Sequence, residues 1–201
     1  MSAKNLIEER VRAVPEGEPF FPAQFLTVGS RASVDQVLSH LAKGGSIKRI
    51  ARGIYVRPKQ NKYVGEVLPG PEVIAKQVAA SEGASIQVHG AEAARRFELT
   101  TQVPMQSVFY TNGRSREINA GRMKIRLVHR SPRRLAMAER PAGLALAALE
   151  YLGKHNVTPE VVDQVRRKLA PTEFEALRQA STAMPAWLAE ALNRDSRLRA
   201  T

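Results

Sequence analysis

The chain has 201 residues, of which 43% are hydrophobic and 25% charged, and it carries a formal net charge of +12. These are the proportions of a folded, soluble protein with room for one ordinary domain or two small ones. The absence of cysteine excludes disulfides, thiolate zinc sites and cysteine nucleophiles. So large a positive excess attracts polyanions, nucleic acid first, with acidic proteins and membrane surfaces as the other candidates.

The first stretch, Ser2 to Val14, reads as a helix capped by Ser2, with Ile7, Val11 and Val14 on one face. It is charged and lacks the apolar core of a signal peptide. The longest apolar run, Ala142 to Leu149, is broken by Glu150 and falls short of a membrane span. The expectation is a soluble, cytoplasmic protein. Pro15-Glu16-Gly17 stops the first helix, Pro19-Phe20-Phe21 offers a small strand, and Pro22 opens a brief helix over Ala23 to Leu26.

Ser30 is the natural N-cap of the next helix. Val34, Val37, Leu38 and Leu41 follow the i, i+3, i+4, i+7 spacing of a buried stripe. That stripe turns Ala32, Gln36, Ser39 and Lys43 to the opposite face, with Ser33, Asp35 and His40 on the flanks. Gly44-Gly45 ends the helix. Ile47 and Ile50 lead to a turn at Arg52-Gly53, and Ile54-Tyr55-Val56 is strongly β-prone. Lys59 to Pro69 reads as a polar, basic connection, and Pro69-Gly70-Pro71 as the best domain boundary.

Beyond the boundary, Pro71 to Ser81 is expected to be helical with Val73, Ile74, Val78 and Ala79 inward. Ser85 to His89 suggests a strand, Ala91 to Glu98 a helix, and Gln106 to Tyr110 a strand ending at Asn112-Gly113. Arg122 to Arg130 alternates, with Met123, Ile125 and Leu127 on one face and Lys124, Arg126, Val128 and Arg130 on the other. From Ala142 the chain is helical: a nearly all-apolar helix to Leu152, one from Thr158 to Leu169, one from Pro171, and one from Pro185 carrying Trp187, Leu188 and Leu192. Arg194 to Thr201 reads as a frayed, charged tail. Phe109, Tyr110, Tyr151 and Trp187 are expected to pack in the core.

A helix followed at once by a basic hairpin is how a winged helix-turn-helix is written in sequence. In that fold the helix enters the major groove and the hairpin grips phosphates or the minor groove. The expected DNA contacts are Ser30, Arg31, Ala32, Ser33, Gln36, Ser39, His40 and Lys43 on the helix and Lys48, Arg49, Arg52 and Arg57 on the wing. Gln36 suits an adenine edge, Lys43 a guanine edge or phosphate, and Ser33 and Ser39 either base or phosphate. A second cluster, Arg114, Arg116, Arg122, Lys124, Arg126, Arg130, Arg133 and Arg134, is either a second phosphate-contacting surface, a docking face for an acidic partner or RNA, or the solvated face of an antiparallel sheet.

Catalysis is not expected. His40, His89, His129 and His155 are dispersed without metal-ligand spacing, no nucleophile elbow or phosphate-binding glycine loop is present, and Glu72, Glu92, Glu98 and Glu117 are separated by basic and apolar residues. Neither cofactor nor metal is expected.

The segment Ile50-Ala51-Arg52-Gly53-Ile54-Tyr55-Val56-Arg57-Pro58, with the Phe20-Phe21 stretch and the helix Ser33 to Leu41 before it, resembles the winged-helix start of AbiEi-type antitoxins. The Pro-Gly-Pro junction and the strand Lys124 to His129 followed by helices are similar to that family's larger C-terminal domain. The resemblance implies an α+β protein with a winged helix-turn-helix over residues 1–68 and a mixed C-terminal domain over 71–201 ending in helices. It implies a transcriptional autorepressor that binds operator repeats in double-stranded DNA and acts as the antitoxin of a type IV toxin–antitoxin pair, beside a nucleotidyltransferase-like toxin. The alternative is an interaction module that takes an acidic partner, such as the toxin, through its basic surfaces without specific DNA binding.

Overall fold

The computed structural model describes residues 2–198, and its architecture is mixed α+β. The chain divides into two compact units. One is Met1–Gln77 together with Ile118–Lys124; the other is Val78–Glu117 together with Ile125–Thr201.

The first unit opens with α1 (Ala3–Ala13), capped by Ser2, whose Oγ accepts the Asn5 N–H at 3.3 Å. The two-residue strand β1 (Pro19–Phe20) and a 3-10 turn (Pro22–Phe25) lead to α2 (Arg31–Lys43). Strands β2 (Lys48–Ala51) and β3 (Ile54–Val56) form an antiparallel hairpin, and β1 pairs with β3, so the sheet order is β1-β3-β2. Ile7, Val11, Val34, Val37 and Leu38 close the core over Phe20, whose ring meets Phe25 edge-on at 5.7 Å and stacks on Tyr55 at 6.0 Å. Burying apolar side chains from two helices and three strands is what gives so small a unit a core.

The stretch after β3 is more structured than a connection. Lys59–Asn61 (β4) and Gly65–Val67 (β5) pair as a second hairpin, turned by Asn61, whose Oδ1 accepts the N–H groups of Tyr63 (2.8 Å) and Val64 (3.2 Å). Helix α3 (Pro71–Ala80) follows the Pro-Gly-Pro junction directly. Its inward row is Ile74, Ala75, Val78 and Ala79; Val73 lies off that row and is 46% exposed, contrary to the reading that turned it inward.

The larger sheet has strands β6 (Ile86–Val88), β7 (Ser107–Thr111), β8 (Arg116–Ala120) and β9 (Met123–His129), in the order β6-β7-β9-β8. β6 and β7 are antiparallel, and β7 and β9 are parallel, Phe109 opposite Leu127 and Tyr110 opposite Val128. The sheet is therefore not the simple antiparallel one considered from sequence. Helix α4 (Gly90–Arg96) and the apolar α5 (Pro141–Leu152) cross at close range through small residues, Ala93 and Ala94 facing a helix that buries Ala145 and Ala148. Gly90 is required there: a Cβ would stand 2.4 Å from Tyr151 Cβ and 2.6 Å from the Ala147 carbonyl oxygen.

Helices α6 (Pro159–Lys168), α7 (Pro171–Gln179) and α8 (Ala186–Leu198) complete the unit. α5 has no side-chain cap of its own. Glu173 of α7 supplies one, accepting the Ala142 N–H at 3.0 Å and the Arg140 guanidinium at 2.8 Å. The Arg140 hydrogen bond and then the Ala142 amide hold this carboxyl below its ordinary range, as expected of an anion at a helix N-terminus. The tail expected to fray remains helical to Leu198; residues 199–201 lie outside the described residues.

Candidate nucleic-acid interface

Helix α2 is set by local chemistry at both ends. Ser30 Oγ accepts the Ser33 N–H at 3.3 Å and shares a 2.9 Å hydrogen bond with Ser33 Oγ. At the other end Gly45 takes φ 75°, and the Ser46 N–H returns to the Leu41 carbonyl at 3.0 Å. With Val34, Val37 and Leu38 buried, the face carrying Ala32, Asp35, Gln36, Ser39, His40 and Lys43 is exposed.

One row of that face, Arg31, Asp35, Ser39 and Lys43, forms a wall of a groove of about 620 Å³, and Lys48, Arg49, Arg52 and Gly53 of the β2–β3 hairpin form the other. Tyr55 and Ile47 lie between them. The turn is a tight one, with Gly53 at φ 72°, and a register shift between Arg49 and Ala51 marks a bulge in β2. Gln36 and His40 are exposed on the neighbouring row of α2 and do not line the groove; neither do Ser30, Ala32 and Ser33, near the helix start.

The cations differ in what they already hold. Arg31 is paired with Asp35 at 2.8 Å, and Lys48 with Glu66 on β5, which ties the second hairpin to the first. Lys43, Arg49 and Arg52 have no carboxylate partner among the described residues, so their charge is available to a ligand. Arg57 departs from the expectation of a phosphate contact. Its Nη1 donates to the carbonyls of Arg12 (2.7 Å) and Val14 (2.6 Å), and its Nη2 lies 3.6 Å from Glu16. It fastens the end of α1 to β3, because the carbonyls at a helix C-terminus need donors.

A feature missed in the sequence follows the β2–β3 hairpin in the chain. The tip of the β4–β5 hairpin presents Tyr63 (82% exposed) and Val64 (72%), with Lys62 Nζ 4.8 Å from the Tyr63 ring centre. The Asn61–Gly65 spacing was its only signal.

The second basic cluster is not one surface. Arg116 pairs with Glu82, Arg133 donates to the Thr182 carbonyl, and Arg134 pairs with Glu150 at 3.3 Å. Arg114 borders a shallow depression with Glu82 and His129. Arg130 lies over the Tyr110 ring at 4.5 Å. Arg122, Lys124 and Arg126 are exposed along β9 and its turn, Lys124 and Arg126 opposite the buried Ile125 and Leu127. Tyr110, Tyr151 and Trp187 also depart from expectation: they line a cleft, and only Phe109 of the aromatics named with them is in the core.

Glu92, considered as a catalytic carboxylate, is engaged by Arg95 at 2.7 Å and Arg96 at 3.0 Å, and these bonds depress it to about 2, Arg95 contributing most. No group of three or more His, Asp or Glu among the described residues is placed to hold a metal ion. No helix among them is long and apolar enough to cross a membrane.

Fold and groove together define an α+β protein with a polar helix face and a basic hairpin opposed across one concave surface. The chain belongs to a family of unknown function, DUF6088, whose model matches residues 6–177. The crystal structure of the Rv2827c protein from Mycobacterium tuberculosis is similar in fold, with a TM-score of 0.50, 12% identity, and coverage of 98% of this chain and 79% of that one. No curated protein matches the sequence.

Proposed function

We propose that the first unit is a winged helix that binds double-stranded DNA, and that the protein is a non-catalytic transcriptional autorepressor serving as the antitoxin of a toxin–antitoxin pair in the cytoplasm. The observation that carries the DNA reading is the groove in which Lys43, Arg49 and Arg52 face the same space without carboxylate partners among the described residues. The order α1-β1-3-10 turn-α2-β2-β3 agrees with it, being the order of a winged helix. In this reading α2 enters the major groove, its row Arg31-Asp35-Ser39-Lys43 and the adjacent Gln36 meeting base edges. Arg49 and Arg52 neutralise phosphates. Asp35 holds Arg31 in one orientation, as a base-reading arginine requires. The antitoxin role rests on the resemblance of the Arg52-Gly53-Ile54-Tyr55 hairpin and its surroundings to AbiEi-type antitoxins.

The test is binding of the protein to the DNA upstream of its own reading frame, against scrambled DNA of equal length, with Gln36→Ala in parallel. Specific retardation is expected, and Gln36→Ala should relax preference at one base pair by about 1–3 kcal/mol. Equal loss on both DNAs would remove Gln36 from the reading face. No retardation of either DNA at low salt would overturn the DNA reading and favour an acidic protein partner. Co-expression with the product of the adjacent reading frame tests antitoxicity: rescue of growth is expected, and its failure with a toxic neighbour would leave only the repressor.

A further inference from the structure

The second unit contains a cleft that the DNA reading does not use. It is about 420 Å³, within the roughly 300–1,000 Å³ of small-molecule sites, and lies between strands β6 and β7 and helix α5. Its floor holds Gln87 of β6, paired in register with Tyr110 of β7. Gln87 is only 9% exposed, and its Oε1 is buried with no hydrogen-bond partner among the described residues. A buried amide oxygen without a donor is disfavoured in a folded protein, and at the floor of a cleft a turn of the Gln87 side chain brings it within reach of a ligand N–H.

The walls are aromatic and the mouth is basic. Tyr110 and Trp187 are half-buried, and Tyr151 is exposed beside them. Arg130, Arg134 and Lys154 are exposed at the edge. Glu150, in the same lining, pairs with Arg134 and also interacts electrostatically with Arg130, while Arg130 and Lys154 have no carboxylate within ion-pair distance among the described residues. We propose that this cleft binds a mononucleotide unit, a planar heterocycle bearing an N–H donor joined to a phosphate. The heterocycle packs on Trp187 and Tyr151, the Tyr110 ring being already covered by Arg130 and His89, and donates to Gln87 Oε1, while the phosphate meets Arg130 and Lys154. Arg134 is paired with Glu150 and is left out of the phosphate contact. The ligand is either a free nucleotide or the phosphorylated end of a strand, since both present the same groups.

Trp187 is the single tryptophan of the chain, so its emission reports on the cleft and not on the groove of the first unit. The intact protein is titrated with AMP, GMP, CMP and UMP, then with ribose 5-phosphate, inorganic phosphate and a short 5′-phosphorylated oligonucleotide. At least one nucleotide should change the emission saturably and bind about tenfold more tightly than ribose 5-phosphate. Gln87→Leu should weaken that binding about tenfold without lowering the melting temperature, since it removes the unpartnered acceptor together with its function. Lys154→Ala, at an exposed position, tests the phosphate end without risk to folding and should also weaken binding. A tighter oligonucleotide identifies a strand end, and a weaker one a free nucleotide; either supports the proposal. No saturable change with any of the four nucleotides at millimolar concentration would overturn it. So would equal binding of inorganic phosphate, or unchanged affinity in both variants.

Discussion

Arg52 and Arg57 belong to the same short hairpin, yet their surroundings give them opposite roles. Arg52 projects from the turn with no carboxylate partner among the described residues, whereas Arg57 is held by two carbonyls at the end of α1. Arg52→Ala should weaken binding to all DNA sequences and reduce the slope of log affinity against log salt by about one, in anisotropy titrations over a salt series. Arg57→Ala should leave that slope alone and lower the unfolding free energy by about 1–3 kcal/mol, measured in urea. Equal slope changes in the two variants would contradict the assignment.

His89 makes a second prediction at this scale. It caps α4 through Nδ1, which accepts the Ala91 N–H at 3.2 Å, and its ring lies between Tyr110 and Tyr151. Burial, and then the charge of Arg130, lower its pKa below the ordinary 6.5. The unfolded chain therefore binds more protons in the window just below that value, and stability must fall as pH drops through it. Protonation also removes the acceptor at Nδ1. His89→Asn keeps a capping side chain but cannot titrate, so its urea midpoint should lose this part of the dependence between neutral and mildly acidic pH. An unchanged pH profile in the variant would assign the effect to other groups.

Among the elements, α5 is the one with least freedom to vary. A Cβ at Gly143 would stand 1.9 Å from the Met137 carbonyl oxygen, which is backbone and cannot move aside. Gly143→Ala should therefore destabilise by about 1–3 kcal/mol or more in chemical denaturation; a neutral result would mean that the preceding turn relaxes freely. Elements with a buried face were legible in the sequence. The period of Val34, Val37 and Leu38 located α2, and the alternation of Ile125 and Leu127 located β9. The β4–β5 hairpin was not legible, because every residue in both strands is exposed and none contributes to an apolar alternation. β8 hid for a similar reason, with Ile118 its only large apolar residue. The groove was half legible: the sequence supplied its cations and the i,i+4 pair of Arg31 with Asp35, but the partners that occupy Lys48 and Arg57 come from elsewhere in the chain or from the backbone. The cleft could not be read at all, since Gln87, Arg130, Glu150 and Trp187 belong to separate parts of the chain.

For the whole molecule, the 31 lysines and arginines overstate what a polyanion meets, because several are already in ion pairs whose carboxylates the net charge of +12 has subtracted. Releasing one should be measurable. Glu66→Gln breaks the pair with Lys48 and should raise affinity for random DNA and steepen its salt dependence by up to about one ion, in the same anisotropy assay. No change would mean that Lys48 lies outside the footprint.

The strand order β6-β7-β9-β8 carries a further consequence, for the route by which the chain folds. The chain leaves β7, makes β8 at the outer edge, and only then lays β9 into the space between them. β9 is parallel to β7 and cannot join it through a local turn, but it can join β8 through the tight turn at Gly121-Arg122. The β8–β9 hairpin should thus form early as a local unit and dock onto β7 afterwards, at the cost of closing the intervening loop. In pulse-labelled hydrogen exchange during refolding, amides bonded across β8–β9 should gain protection before those bonded across β7–β9.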